Sequence, residues 1–247
     1  ELWAHDTSNA STWRVADINS GAGSFYHGVP GYSGLEILIG DTLYFDADDG
    51  SSGSELWAHD TSNASTWRVA DIRSGSGSSS PGSSMAILVG DTLYFDAYDA
   101  SSGRELWAHD TSNASTWQVA EFASGSSSST PGQYMSILIG DTLYFDAGDY
   151  GSFGNELRAH DTSNASTWLV ADIRSGSGDS IPGQYMSILV GDTLYFSASD
   201  GISDWELWAH STSNASTWRV ADIYSGTGAS NPGQYMSILV GDTLYFS

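Results

Sequence analysis

The chain contains no cysteine and no lysine. Without thiols it has neither disulfide staples nor thiol chemistry, which leaves its compartment open. Without lysine, seven arginines face 30 acidic residues, for a formal net charge of −23. A field of that sign repels phosphate backbones and anionic headgroups, so nucleic-acid and membrane-surface partners are disfavoured. Proline is scarce, with five residues in 247, and all five fall between apolar segments. Helical periodicity is absent, and no apolar run approaches the roughly 20 residues of a membrane span, so membrane insertion is not expected. The chain opens on Glu1 with no signal peptide or initiator methionine, which reads as a mature or excised segment.

Repetition dominates what is present. The phrase ELWAHDTSNASTWRVADI, or a close copy, begins at Glu1, Glu55, Glu105, Glu156 and Glu206. Between copies runs a second phrase, MAILVGDTLYFDA or MSILVGDTLYFS. Each unit of about fifty residues therefore holds four short apolar segments rich in β-branched and aromatic residues, separated by turn chemistry. In MSILVGDTLYF the pair Gly191-Asp192 suits a two-residue type II′ hairpin, and Asp, Ser and Asn of DTSNAS suit a second turn. An all-β chain of four-stranded antiparallel blades is expected, as in a β-propeller. Complete blades span 35–72, 85–122, 135–173 and 186–223. A fifth would be closed by 236–247 together with 1–18, which would remove exposed strand edges. The expected architecture is a single five-bladed propeller. The alternative is an open array cut from a longer repeat protein.

The unit resembles the ELWxxDGT repeats of large bacterial surface and secreted proteins, in which ELW, a following Asp, a later D-I pair and LYF recur in this order. The likeness covers essentially the whole chain. It departs at DGT, which reads His59-Asp60-Thr61 here. The layout is similar, distantly, to kelch blades, and the near-identity of the units resembles recently amplified propellers. The resemblance implies a propeller in an extracellular or cell-surface setting and no particular activity.

Insertions between the copies are confined to two connections. The stretch from Ile18 to Gly40 is four residues longer than that from Ile72 to Gly90, and the loop from Asp141 to Glu156 is one longer than that from Asp91 to Glu105. Both connections leave a four-stranded antiparallel blade at the same end. They carry Phe25, Tyr26, His27 and Tyr32, then Tyr134, Tyr185 and Tyr235 beside glutamines, and Tyr98, Tyr150, Phe153 and Trp205. Rings beside amides and carboxylates suit a glycan or an extracellular protein, since apolar sugar faces stack on rings while hydroxyls bond polar groups. The matched tyrosines suit equally well as caps over the core between blades.

Calcium is the cofactor that the oxygen-rich crossover loops would take, through Asp46, Asp48, Asp49, Asp96, Asp99, Asp146 and Asp149. The spacing is not that of a calcium hand, and Ser197 replaces the first Asp in the fourth copy. Asp41, Asp91, Asp141, Asp192 and Asp242 repeat at the inner hairpins. His5, His59, His109, His160 and His210 recur once per blade on the third strand, too far apart to converge on one ion, and read as structural. Asn9, Asn63, Asn113, Asn164 and Asn214 each open an Asn-Ala-Ser acceptor pattern for N-glycosylation, which is also good turn sequence. Near-identical blades supply carboxylates in equivalent settings, whereas glycoside hydrolysis needs two unlike ones, so no enzyme is expected. The functional expectation is a non-catalytic binding or adhesion module. The alternative is a structural subunit that self-assembles into a fibre, coat or array.

Overall fold

The computed structural model describes residues 1–20, 34–149 and 151–247. Tyr26 and Tyr150, with Phe25, His27 and Tyr32, lie outside them. All regular structure among the described residues is β. A first hairpin pairs β1 (Leu2–Asp6) with β2 (Ser11–Ala16). The first complete blade is β3 (Glu36–Ile39), β4 (Thr42–Asp48), β5 (Ser54–Asp60) and β6 (Ser65–Ala70). The second is β7 (Ala86–Val89), β8 (Thr92–Asp99), β9 (Gly103–Asp110) and β10 (Ser115–Ala120). The third is β11 (Ser136–Ile139), β12 (Thr142–Gly148), β13 (Asn155–Asp161) and β14 (Ser166–Ala171), and the fourth β15 (Ser187–Val190), β16 (Thr193–Ser199), β17 (Trp205–Ser211) and β18 (Ser216–Ala221). A last hairpin pairs β19 (Ser237–Val240) with β20 (Thr243–Phe246). Each complete blade is an up-and-down antiparallel sheet of four strands in chain order, the construction of a propeller blade.

Local chemistry explains the hairpins. Val190 pairs with Thr193, leaving Gly191-Asp192 as a two-residue loop with Gly191 at φ 58°, where glycine is needed, while Asp192 keeps a negative φ. That is the expected type II′ geometry. At the outer hairpin Asp60 accepts the Ser62 N–H at 2.8 Å and the Asn63 amide at 2.6 Å, while Asn63 Oδ1 accepts the Ser65 N–H at 2.9 Å. The same bonds recur at Asp6-Asn9, Asp110-Asn113 and Asp161-Asn164. The two hairpin ends are laced together by Thr61, whose N–H and hydroxyl both donate to the Asp41 carbonyl at 2.8 and 2.9 Å. One register shift between third and outer strand, as between Leu56 and Trp57, marks a β-bulge in the first, third and fourth complete blades and in the first hairpin.

The chain divides into two compact units, Glu1–Val119 and Ala120–Ser247. In the first, Leu35, Tyr44, Leu56, Ala58 and Ile72 of one blade pack against Leu93, Phe95 and Ala97 of the next, with Trp107 beside them. In the second, Met135, Tyr144, Leu157 and Ala159 pack against Leu194, Phe196 and Ala198, with Trp208 beside them. Burying such side chains contributes roughly 1.5–3 kcal/mol each, so blade-on-blade packing is the main source of stability.

Candidate functional site

The acids that the sequence offers as calcium ligands are committed elsewhere. Asp96 and Asp146 lie fully buried on the second strand of their blades. Asp96 Oδ1 accepts the N–H groups of Ser84 and Met85 at 2.8 and 2.9 Å, and its Oδ2 accepts Arg104 at 2.6 Å. Asp146 receives Tyr134 and Met135 N–H at 2.9 Å each, and the Asn155 amide at 3.1 Å. Ser197 does the same work in the fourth blade, accepting Tyr185 and Met186 N–H at 3.0 and 3.4 Å. The substitution of Ser for Asp thus preserves a backbone acceptor. Asp46 accepts the Ser54 hydroxyl at 3.0 Å, Asp48 the Gly50 N–H at 2.7 Å, and Asp99 the Ser101 hydroxyl at 2.6 Å. Asp49 gathers Ser51 and Ser52 N–H at 2.8 Å. Among the described residues no three acidic or histidine side chains are placed to share a metal ion.

A second buried carboxylate escapes the sequence reading. The Glu of the ELW phrase in the first, third and fourth complete blades reaches into the linker that leaves its own blade. Glu55 accepts the Ile72 N–H and the Ser79 hydroxyl, both at 2.8 Å, and Glu156 accepts the Ile173 N–H at 2.8 Å and the Ser180 hydroxyl at 2.6 Å. The constant offsets of 17 and 24 residues are the sequence signal for this clasp. Burial pushes Glu156 up to about 7 and Asp146 up to about 6, against the pull of their hydrogen bonds.

The aromatic candidates separate. Tyr98 and Trp205 are strand residues, next to last in β8 and first in β17, where the sequence places them in loops. Tyr98 carries the Arg73 guanidinium 4.6 Å above its ring. Trp205 meets Tyr185 edge to face at 5.3 Å. Tyr134 and Tyr235 are exposed. The histidines are structural: His59, His109, His160 and His210 are buried, with Nδ1 at 2.8–2.9 Å from a cross-strand threonine hydroxyl. His5 makes the same bond from an exposed position. Burial holds His109, His160 and His210 below the usual imidazole range.

The third blade breaks the repeat at one place. Every other copy has a tryptophan on the third strand, matched on the outer strand by an arginine in three copies, as in Trp57 opposite Arg68, and by Gln118 in the second blade. This blade sets Arg158 opposite Leu169. The arginine has changed strands and the indole is gone. The preceding D-I pair becomes Glu121-Phe122, and Phe153 enters the crossover loop. A cleft of about 310 Å³ results, lined by Glu121, Phe122, Asp149, Phe153, Arg158 and Trp168 among others. Arg158 is fixed there by three contacts. Its Nε donates to the Ala147 carbonyl at 3.2 Å, its Nη2 lies 3.5 Å from Asp149, and its guanidinium stacks 5.1 Å from the Phe122 ring. Burial works to raise the Asp149 pKa, but N–H groups of Phe153, Ser152 and Gly151 and the Arg158 charge hold it below the usual carboxylate range. Phe122 in turn packs edge-on against Phe145 at 5.7 Å. Phe153 and Trp168 remain partly open to solvent. The cleft thus offers three aromatic surfaces, an anchored cation and two carboxylates.

No family model matches the chain, and no curated protein does. Among solved structures it is similar to TolB from Acinetobacter baumannii, at 14% identity over 87% of this chain and 47% of that one, with a TM-score of 0.44. A puromycin-hydrolyzing peptidase of Mycobacterium tuberculosis is 13% identical over 87% of this chain and 30% of its own, at 0.49. Puromycin hydrolase is 13% identical over 74% and 27%, at 0.48. The chain spans less than half the length of each. These values describe a loose likeness of fold and nothing of activity.

The cleft was open to discovery from sequence. Aligning the five copies on ELW exposes the Trp-to-Arg and Arg-to-Leu exchange at Arg158 and Leu169, whereas comparing loop lengths alone passes over both, because they sit in the stretch whose spacing is the same in every copy.

Proposed function

We propose that this chain is a non-catalytic, extracellular binding module whose ligand is a saccharide held in the third-blade cleft. One observation carries the reading: five departures from an otherwise near-identical repeat converge on a single concavity. Drift would scatter Glu121, Phe122, Phe153, Arg158 and Leu169 over the surface. Instead all five, each unlike every counterpart in the other copies, line the same 310 Å³. The chemistry suits a sugar ring, whose apolar face stacks on Phe153 or Trp168 while its hydroxyls bond Glu121, Asp149 and Arg158.

A binding rather than hydrolytic role follows from the carboxylates. General acid catalysis needs a carboxyl kept protonated near neutrality and facing the ligand. Asp149 is held ionised, and the raised acids Asp146 and Glu156 are bonded to backbone amides outside the cleft lining. The ELW-repeat resemblance supports the extracellular placement, as does the high negative charge. A glycan array probed with the labelled chain tests the reading. Binding is expected to selected saccharides and to fall at least about tenfold in Trp168→Ala, as for a central aromatic contact. An array without signal, or one unaffected by Trp168→Ala, defeats it.

A further inference from the structure

The two end sheets carry the same sequence as the complete blades yet stand half finished. β19–β20 is the inner half of the repeat, and the outer edge of β20 has no strand partner among the described residues. β1–β2 is the outer half, and the inner edge of β1 is likewise without one. Burial records the lack. Tyr44, Tyr94 and Tyr144 are each 6% exposed, whereas Tyr245 at the matching position is 52% exposed. Trp3 is 59% exposed, while its counterparts Trp107 and Trp208 pack onto a core. Ile238, Leu239 and Val240 are exposed as well.

The complete blades show what covers such an edge. Their second and third strands pair Thr42 with Asp60, Leu43 with His59, Tyr44 with Ala58 and Phe45 with Trp57, and the same ladder recurs between β8 and β9. β20 and β1 hold its two sides, Thr243-Leu244-Tyr245-Phe246 and Asp6-His5-Ala4-Trp3. An open row of backbone donors and acceptors flanked by apolar side chains recruits a strand of matching register.

We infer that these half-blades are mutually complementary docking surfaces, and that β19–β20 of one copy completes a four-stranded blade with β1–β2 of a second copy. Each half-blade leaves one edge without a strand partner among the described residues, so every copy carries one surface of each kind. The interface is heterologous, so copies add head to tail, giving a ring where the rotation closes and a filament where it does not. The charge of −23 per copy opposes approach, and salt near 0.15 M, with a Debye length of about 8 Å, relieves that repulsion. Association therefore strengthens with salt.

Sedimentation of the full chain over a wide concentration series tests this, with amide exchange read on the same samples. Mass is expected to climb from 26.2 kDa through its multiples, and exchange at Leu2–Asp6 and Thr243–Phe246 to slow at least about tenfold in parallel, while β5 and β8 stay unchanged. Trp3→Asp and Phe246→Asp, each alone, are expected to stay at 26.2 kDa, and an equimolar mixture to form a one-to-one pair and nothing larger. A single 26.2 kDa species at every concentration overturns the inference, whether both segments exchange slowly, the chain having closed on itself, or rapidly, the edges being idle. Assembly that persists in each variant alone also overturns it. Should either variant fail to fold, exchange in the unaltered chain decides.

Discussion

A carboxylate taken out of water is costly unless backbone amides are aimed at it, and the second and third blades here bury two apiece while the first and fourth bury one. Glu156 has a folded pKa of about 7 against an ordinary 4.5, and Asp146 about 6 against 3.8. Since the folded values are raised, their contribution is fully present below the ordinary values and is lost as pH rises through about 6 to 7. These two carboxylates therefore favour a higher melting temperature near pH 4.5 than at pH 8. The buried His109, His160 and His210, held below 6.5, oppose them as pH falls, so the carboxylates' share is read by comparison with a variant. Calorimetry of Glu156→Gln should show a flatter profile. A slope unchanged by that substitution would remove Glu156 as its cause. Composition cannot separate a buried Asp96 from a solvated one, because both follow an apolar run and precede Ser and Gly. Ser197 was the legible signal, since a hydroxyl retains an N–H acceptor but not the charge that calcium needs.

At the level of elements, hairpins were the most legible feature, because Gly191-Asp192 and Asp60-Thr61-Ser62-Asn63 carry their geometry locally. Asn63→Ala, which removes both the Asp60 and the Ser65 bonds, is expected to cost about 1 kcal/mol in chemical denaturation, the usual net worth of such contacts. No loss would reduce the recurrent Asn-Ala-Ser to a passive sequence. Strand ends were less legible, because the ladder across from them decides where they stop. Trp205 pairs with Ser199 and so belongs to β17, and its carbonyl accepts Ser230 and Asn231 N–H at 2.9 and 3.2 Å. Trp205→Ala is accordingly expected to lower stability by about 1 kcal/mol or more through the lost Tyr185 contact, with saccharide binding unchanged. Binding lost at full stability would return Trp205 to the ligand surface.

For the whole molecule, repetition made the four-stranded blade construction legible and hid the site, since a cleft is visible only as a deviation from the pattern. Charge acts at this scale too. With Asp49, Asp96, Asp146 and Asp149 already occupied by N–H groups and arginines, cations are expected to act by screening. Sodium and calcium chloride at equal ionic strength should then raise Tm equally, and saturable calcium stabilisation would refute this. The central claim is that the exchanged arginine and tryptophan positions of the third blade create the ligand site. It is tested most directly by titration calorimetry of the array-selected saccharide into the chain and into the double variant Arg158→Trp with Leu169→Arg, which restores the repeat. The account predicts that the restored indole fills the cleft, that heat of binding disappears and that Tm holds. Equal affinity in the restored and the natural chain would contradict it.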